Sequence, residues 1–213
     1  MSHALFRPPA EAYSLILRIA DGCPWNRCGF CGMYKEVLYR LHPEAEIEQT
    51  IAKAARMQPR TKRIFLADGD VMALSVERLR ALLETLNARF PRLARVNLYA
   101  NGHSILRKSP EQLEALRALK LNTLYMGLES GNEAVLRQAQ KRETAEEMIT
   151  AGKLAQTAGL KMSVMVLTGL GGQSASTEHA VATAEALNRM QPKLLSALRV
   201  VPIPGTALYQ DEQ

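Results

Sequence analysis

Residues 14–35 read Ser-Leu-Ile-Leu-Arg-Ile-Ala-Asp-Gly-Cys-Pro-Trp-Asn-Arg-Cys-Gly-Phe-Cys-Gly-Met-Tyr-Lys, an apolar, β-rich run that leads straight into Cys23, Cys28 and Cys31. These three are all the cysteines of the chain. An odd number on one short loop, with none elsewhere to pair with, fits metal binding better than a disulfide framework. Three thiolates can wrap a soft metal centre, and Gly22, Gly29 and Gly32 supply the tight backbone that wrapping requires. A doubly wound sheet would instead carry a glycine-rich phosphate turn directly after its first strand. Cysteines stand in that place here.

Outward from this stretch the chain alternates. Further β-rich runs lie at 63–67, 95–100, 122–128, 162–167 and 197–201, the first being 14–20. Between them apolar residues recur at helical spacing: Ile47, Ile51 and Ala54; Leu79, Leu82, Leu83, Leu86 and Phe90; Leu113, Leu116 and Leu119; Met148, Ala151, Ala155 and Ala158; Ala180, Ala184 and Leu187. Ser109-Pro110-Glu111-Gln112 and Thr144-Ala145-Glu146-Glu147 have capping-box spacing, and Gly159 stands where a helix end favours a left-handed residue. Strand and helix thus alternate five times before a sixth strand, which predicts a parallel sheet whose right-handed crossovers curl it. The expected fold is α/β, a partial (β/α)6 TIM-like barrel open on one side, in a single domain over 1–213. A doubly wound open sheet is the competing arrangement. A closed eight-unit barrel takes about 250 residues. The seven residues after Thr206 are too few for a sixth crossover helix or a lid, so closure is expected from the substrate, from a partner or from a longer version of the chain.

With 47% hydrophobic and 23% charged residues, disorder, a collagen-like chain and a disulfide scaffold are excluded. The longest apolar runs fall far short of the roughly 20 residues a membrane span needs. The N-terminus has no basic region leading into an apolar one, so no secretion signal is expected and a cytoplasmic location is. Lys plus Arg number 27 against 21 acids, a net charge of +6. The basic residues are scattered, as on a solvated surface, and select no anionic partner.

A zinc site would want a fourth protein ligand, which His42 could supply as Cys₃His. His3, His103 and His179 read as ordinary polar or part-buried histidines. A four-iron cluster held by three cysteines leaves one iron open for a non-protein ligand, which matches the three thiols present.

The spacing Cys-x4-Cys-x2-Cys after the first strand, with Phe30 just before the last cysteine, resembles the radical S-adenosylmethionine (radical SAM) superfamily. The commonest spacing there has three residues between the first two cysteines; four, as here, occurs in some branches. Together with Ala67-Asp68-Gly69-Asp70 and Gly127-Leu128-Glu129-Ser130-Gly131, the text is similar to a bacterial group loosely related to the oxygen-independent coproporphyrinogen oxidase type. The resemblance runs from about residue 15 to 206. It implies a [4Fe–4S] cluster on Cys23, Cys28 and Cys31, which are then both metal ligands and catalytic residues, with S-adenosylmethionine (SAM) on the open iron. One electron would break the sulfur to C5′ bond, and the 5′-deoxyadenosyl radical would abstract hydrogen from a substrate. A reductant such as flavodoxin or ferredoxin is implied. The substrate class, whether small molecule, RNA or peptide, is left open, as is oligomeric state. A non-catalytic iron–sulfur or zinc protein and a degenerate SAM-binding scaffold are the alternatives.

The same resemblance marks further SAM contacts at strand ends. Gly69 and Asp70 stand where the superfamily has a turn that receives the SAM ammonium, with Asp68 as an ordinary cap of the next helix in the plainer reading. Glu129 would accept from the ribose hydroxyls, or else cap the helix near Asn132. Gly169 and Val201, with Phe30, would flank the adenine. Asn101 could touch SAM or substrate, or merely form an Asn-Gly turn. Lys141 with Arg142 could pair with the SAM carboxylate, or stay solvated. Trp25, Phe30, Tyr34 and Tyr39 crowd the cysteines, as a shield for a cluster or as the loop's own small core.

Overall fold

The computed structural model describes residues 4–211, so His3 lies outside the described residues. The apolar run forms β1 (Leu15–Arg18). The chain continues through β2 (Ala20–Asp21), β3 (Arg40–Leu41), α1 (Glu44–Met57), β4 (Arg63–Ala67), α2 (Val76–Arg89), β5 (Arg95–Tyr99), α3 (Gly102–Leu106) and α4 (Pro110–Ala118). It ends with β6 (Leu121–Glu129), α5 (Glu133–Gln138), α6 (Ala145–Thr157), β7 (Lys161–Thr168), α7 (Ser176–Met190), β8 (Leu194–Arg199) and α8 (Ala207–Asp211).

Six strands form one sheet in the order β1-β4-β5-β6-β7-β8, every neighbouring pair parallel and every connection a helical crossover. This is the partial barrel expected, with β1 and β8 as its edges. Strand alternation divides the core. On β4, Ile64 and Leu66 face the helices in the main cluster, whereas Phe65 and Ala67 face the interior with Tyr125. Phe65, Tyr99 and Tyr125 meet edge to face there, at 5.0–6.3 Å between centroids. Beneath them the buried Glu11 carboxylate accepts hydrogen bonds from Tyr125 Oη (2.6 Å), Asn97 Nδ2 (2.7 Å) and Ser14 Oγ. Asn97 Oδ1 also accepts from the Thr123 backbone N–H, where the β5–β6 register shifts.

Both capping boxes form, Ser109 with Gln112 and Thr144 with Glu147, and Gly159 takes a positive φ of 79°. Four expectations are corrected. The sixth strand runs over Leu194–Arg199 rather than 197–201, because its pairing starts at Ser163 opposite Leu194. On α7 the buried residues are His179, Thr183, Ala186 and Met190 rather than Ala180 and Ala184. The inward polar groups are bonded across to the end of β6, which turns the helix by one residue. Residues 20–21 leave the barrel to pair antiparallel with 40–41, closing the cysteine loop at its base. Past Thr206 the chain makes a helical turn, α8, and Leu208 N–H donates to Gly29 O (3.0 Å). Among the described residues no helix is long and apolar enough to cross a membrane.

Candidate active site

Every β-strand of a parallel barrel delivers its following loop to the same edge, so the loops after β1, β4, β5, β6 and β7 converge. The longest of them is the cysteine loop, and it is clamped from several sides. Trp25 Nε1 donates to Gln140 O (3.0 Å) and Gly29 N–H to Ala139 O (2.8 Å), which ties the loop to the turn after α5. Asn26, at φ 47°, donates through Nδ2 to Tyr34 O (2.6 Å), and Lys35 Nζ donates to Asn26 O (3.3 Å). Gly69 N–H donates to Gly22 O (3.1 Å). A Cβ on Gly69 would sit 2.8 Å from Cys23 Cα, so only glycine lets the β4 loop approach the first cysteine.

Cys23, Cys28 and Cys31 are all free and half-buried. Burial raises all three thiols, Cys28 to about 11 despite the nearby charge of Lys141. Lys141 is inward, its Nζ 3.6 Å from Glu129 Oε1, with both side chains about nine-tenths buried. Burial pulls the Lys141 ammonium down, yet Glu129, the Cys28 thiol and Glu143 together hold it above its ordinary value. Burial likewise pushes Glu129 up, against the pull of Lys141. Glu129 does not cap a helix: Asn132 is the cap, its Oδ1 accepting from Ala134 and Val135 N–H. Glu129 sits instead at a bulge, at φ 63°, its carboxylate folded back over the strand where a Cβ on Gly127 would collide with it. Glu129, Lys141 and the cysteines therefore form one electrostatic unit.

Asp70 and Asn101 also come together, but with each other. Asp70 is buried and accepts from Ser104 Oγ (2.6 Å), Asn101 Nδ2 (3.2 Å) and Asn101 N–H (3.3 Å). Burial pushes its carboxyl up to about 6 in spite of those donors. Asp68 does not cap the following helix, since Ser75 does; it lies 3.4 Å from Arg18 Nε. Gly169 follows β7 at φ 87°, in a turn closed by Gly172 N–H to Gly169 O (3.0 Å). Phe30 packs with Val135, Ala139, Leu170 and Val200, whereas Val201 is 63% exposed beyond the end of β8.

Of the crowded aromatics, Tyr34 is buried edge-on to Phe6 (5.8 Å) and Tyr39 stays partly exposed. Trp25 takes a different role. Arg27 and Arg142 both stand over its ring, at 5.2 and 5.5 Å from the centroid, and Arg142 Nη2 donates to His103 Nε2 (2.8 Å). The pair Lys141-Arg142 is thus split, one side chain inward and one outward. Sequence reasoning also missed Ser104, which holds Asp70, and the buried chain of Ser130, His179 and Thr183. Ser130 Oγ lies 2.8 Å from His179 Nδ1, His179 Nε2 lies 3.1 Å from Leu167 O, and Thr183 Oγ1 accepts from Gly131 N–H (2.9 Å). Their signal, hydroxyls and an imidazole on helical and strand faces, is indistinguishable in sequence from a solvated surface.

His42 corrects the zinc alternative. Its Nε2 is 3.1 Å from Asp21 Oδ2 and its Nδ1 3.6 Å from Glu46, at the base of the loop rather than among the thiols. Among the described residues, no group of three or more His, Cys, Asp or Glu side chains is arranged to hold a single metal ion. A single zinc needs its sulfurs within about 2.3 Å of one point. A cluster presents its irons at separate corners, and three soft thiols on a loop clamped from both flanks, with Gly69 cleared against Cys23, fit that larger group.

Comparison with known proteins agrees with this geometry. The family model described as the Radical SAM superfamily matches residues 17–184. The heme chaperone HemW of Bacillus subtilis is 27% identical over 168 residues, which are 78% of this chain and 43% of that protein. Among solved structures, cobalamin-dependent SAM radical enzyme OxsB in its apo form gives a TM-score of 0.73 at 14% identity over 94% of this chain and 35% of the other. Coproporphyrinogen III oxidase HemN from Escherichia coli gives 0.68 at 17% identity, over 93% and 46%. Methylornithine synthase PylB gives 0.69 at 15%, over 92% and 55%. The chain spans about half the length of these relatives or less. On the family match, which covers most of its length and includes the cysteine loop and the sheet from the end of β1 through β7, the chain belongs to the radical SAM superfamily.

Proposed function

We propose that this chain is a radical SAM enzyme in which Cys23, Cys28 and Cys31 hold a [4Fe–4S] cluster and the edge formed by the β4, β5 and β6 loops receives SAM. When bound, the cluster and SAM together supply a 5′-deoxyadenosyl radical for hydrogen abstraction. The observation that carries this reading is the set of three half-buried thiols beside the buried pair of Lys141 and Glu129 on adjacent loops. The chain's own residues do the positioning. Lys141 places a positive charge beside thiols that must give up their protons to bind iron. Glu129, freed from capping, offers its carboxylate as an acceptor for ribose hydroxyls, and Lys141 offers its ammonium to the SAM carboxylate. Gly69 lets the β4 backbone lie against the cysteine loop, while Asp70 and Asn101 brace the turn behind it. Phe30 and Gly169 border the side on which an adenine ring would rest, and Val201 extends that rim. A small reductant protein of the flavodoxin or ferredoxin kind supplies the electron.

The test is anaerobic reconstitution of the full chain. It should take up about four irons and release 5′-deoxyadenosine when reduced with SAM, and Cys28→Ala should do neither. Release undiminished in Cys28→Ala would overturn the assignment.

A second reading is favoured by the identity to a heme chaperone: a scaffold that keeps the SAM site but carries haem instead of running a radical reaction. Saturable haem binding by the reconstituted chain, with no 5′-deoxyadenosine under strong reductant, would establish it in place of the first.

A further inference from the structure

Two guanidiniums over one indole need an explanation, because like charges repel and each ordinarily finds an acid. Among the described residues, neither Arg27 nor Arg142 has a carboxylate partner. Arg142 Nη2 instead lies 2.8 Å from His103 Nε2, and both arginines stand over the face of Trp25. The acid next in the chain, Glu143, is buried, and its Oε1 accepts from the His103 backbone N–H (3.2 Å). The indole is itself fixed from its edge by Gln140 O. The four side chains come from the segments that follow β1, β5 and β6 at the strand-end edge, His103 from α3, and both arginines are exposed. Ring faces order the guanidinium planes while leaving their N–H edges free, which is how arginine is poised for bidentate contact with an oxyanion.

We propose that Trp25, Arg27, Arg142 and His103 form an oxyanion-binding subsite at the rim of the candidate active site, which receives a phosphate or carboxylate group of a small-molecule substrate. Two guanidiniums held on one ring suit a compact anion; a nucleic-acid surface would present a stripe of charges, and the remaining basic residues are dispersed. The subsite is separate from the inward Lys141, which faces Glu129 and the thiols. The proposal rests on the radical SAM reading in taking the bound anion for part of the substrate.

Trp25 is the only tryptophan, so its emission reports this site alone. Reconstituted full chain, with and without saturating SAM, is titrated anaerobically with inorganic phosphate and with glutarate at constant ionic strength, by calorimetry and by Trp25 emission, with chloride as the control. One of the two anions should bind saturably and shift the emission in both SAM states. Arg27→Gln and Arg142→Gln should each weaken that binding about tenfold, which is ~1.4 kcal/mol, and Arg142→Lys should retain more of it than Arg142→Gln. Which anion binds identifies the group. A response no different from chloride, or one unaltered in folded Arg142→Gln, overturns the proposal. So does loss of binding on adding SAM, which would give the arginines to the SAM carboxylate, and so does binding of a short oligonucleotide far tighter than either anion. A chain that binds the anion but never cleaves SAM fails the enzyme reading and leaves the subsite standing; the reverse result fails the subsite alone.

Discussion

Asp70 shows how a single buried carboxylate leaves a signature in solution. Three donors from Ser104 and Asn101 stabilise its charged form, but burial outweighs them and pushes its pKa from 3.8 up to about 6, with Glu143 opposing and Lys108 favouring ionisation. The folded state therefore holds this proton more tightly than the unfolded chain does. The resulting stabilisation is full below pH ~4 and is lost as pH rises through about 6. Asp70→Asn cannot titrate, so the wild type should lose on the order of 2 kcal/mol relative to the variant as pH rises through that window. Urea denaturation of both proteins without iron, compared from pH ~4 to ~7, checks it; parallel profiles would refute it. At this scale sequence legibility was uneven. The cysteines were plain because three thiols in nine residues have few other uses. Glu129 and Lys141 could be marked only separately, since their contact depends on a bulge at Gly127 and on a turn docked against Trp25, both of them tertiary.

The helices and strands were legible where local chemistry decides them. Ser109 and Thr144 satisfy backbone donors within their own first turns, so the sequence spacing is the structure. α7 is the counterexample. Its inward His179 and Thr183 are stabilised by Ser130, Gly131 and Leu167, on other elements, and no periodicity of apolar residues can announce that. With Nε2 donating to the Leu167 carbonyl, His179 Nδ1 is left to accept from Ser130 Oγ, which in turn accepts from Asn132 N–H. This chain holds the end of β6, one residue past Glu129, against α7. His179→Leu keeps the bulk and removes both ring nitrogens, which leaves the buried Ser130 hydroxyl proton without its acceptor and the Leu167 carbonyl with only Leu170 N–H at 3.4 Å. It should cost about 1–3 kcal/mol in urea unfolding. A cost below 0.5 kcal/mol, roughly the scale of a neutral surface change, would remove the chain's structural role.

Over the whole molecule, alternation implied a parallel sheet with helical crossovers of one hand, and the cysteines standing where a doubly wound sheet carries its phosphate turn favoured the barrel order over that competitor. What alternation could not supply was the state of the last strand. All six residues of β8 are exposed, with Leu194, Leu195 and Leu198 each about half accessible, and among the described residues β8 pairs on one side only, with β7. An apolar strand with an open edge is a template for association. Leu198→Lys should therefore lower the apparent mass of concentrated protein toward the monomer in size-exclusion chromatography with light scattering. Equal masses for variant and wild type, both above the monomer, would show that β8 is not the contact.

The bond from Leu208 N–H to Gly29 O joins residues far apart along the chain. On the ribosome, the cysteine loop can be tied to the turn at 139–140 as soon as that turn has emerged, but this second clamp waits for residue 208. Iron delivered in the interval meets thiols on a loop still missing a restraint, so firm loading belongs after residue 208 has docked.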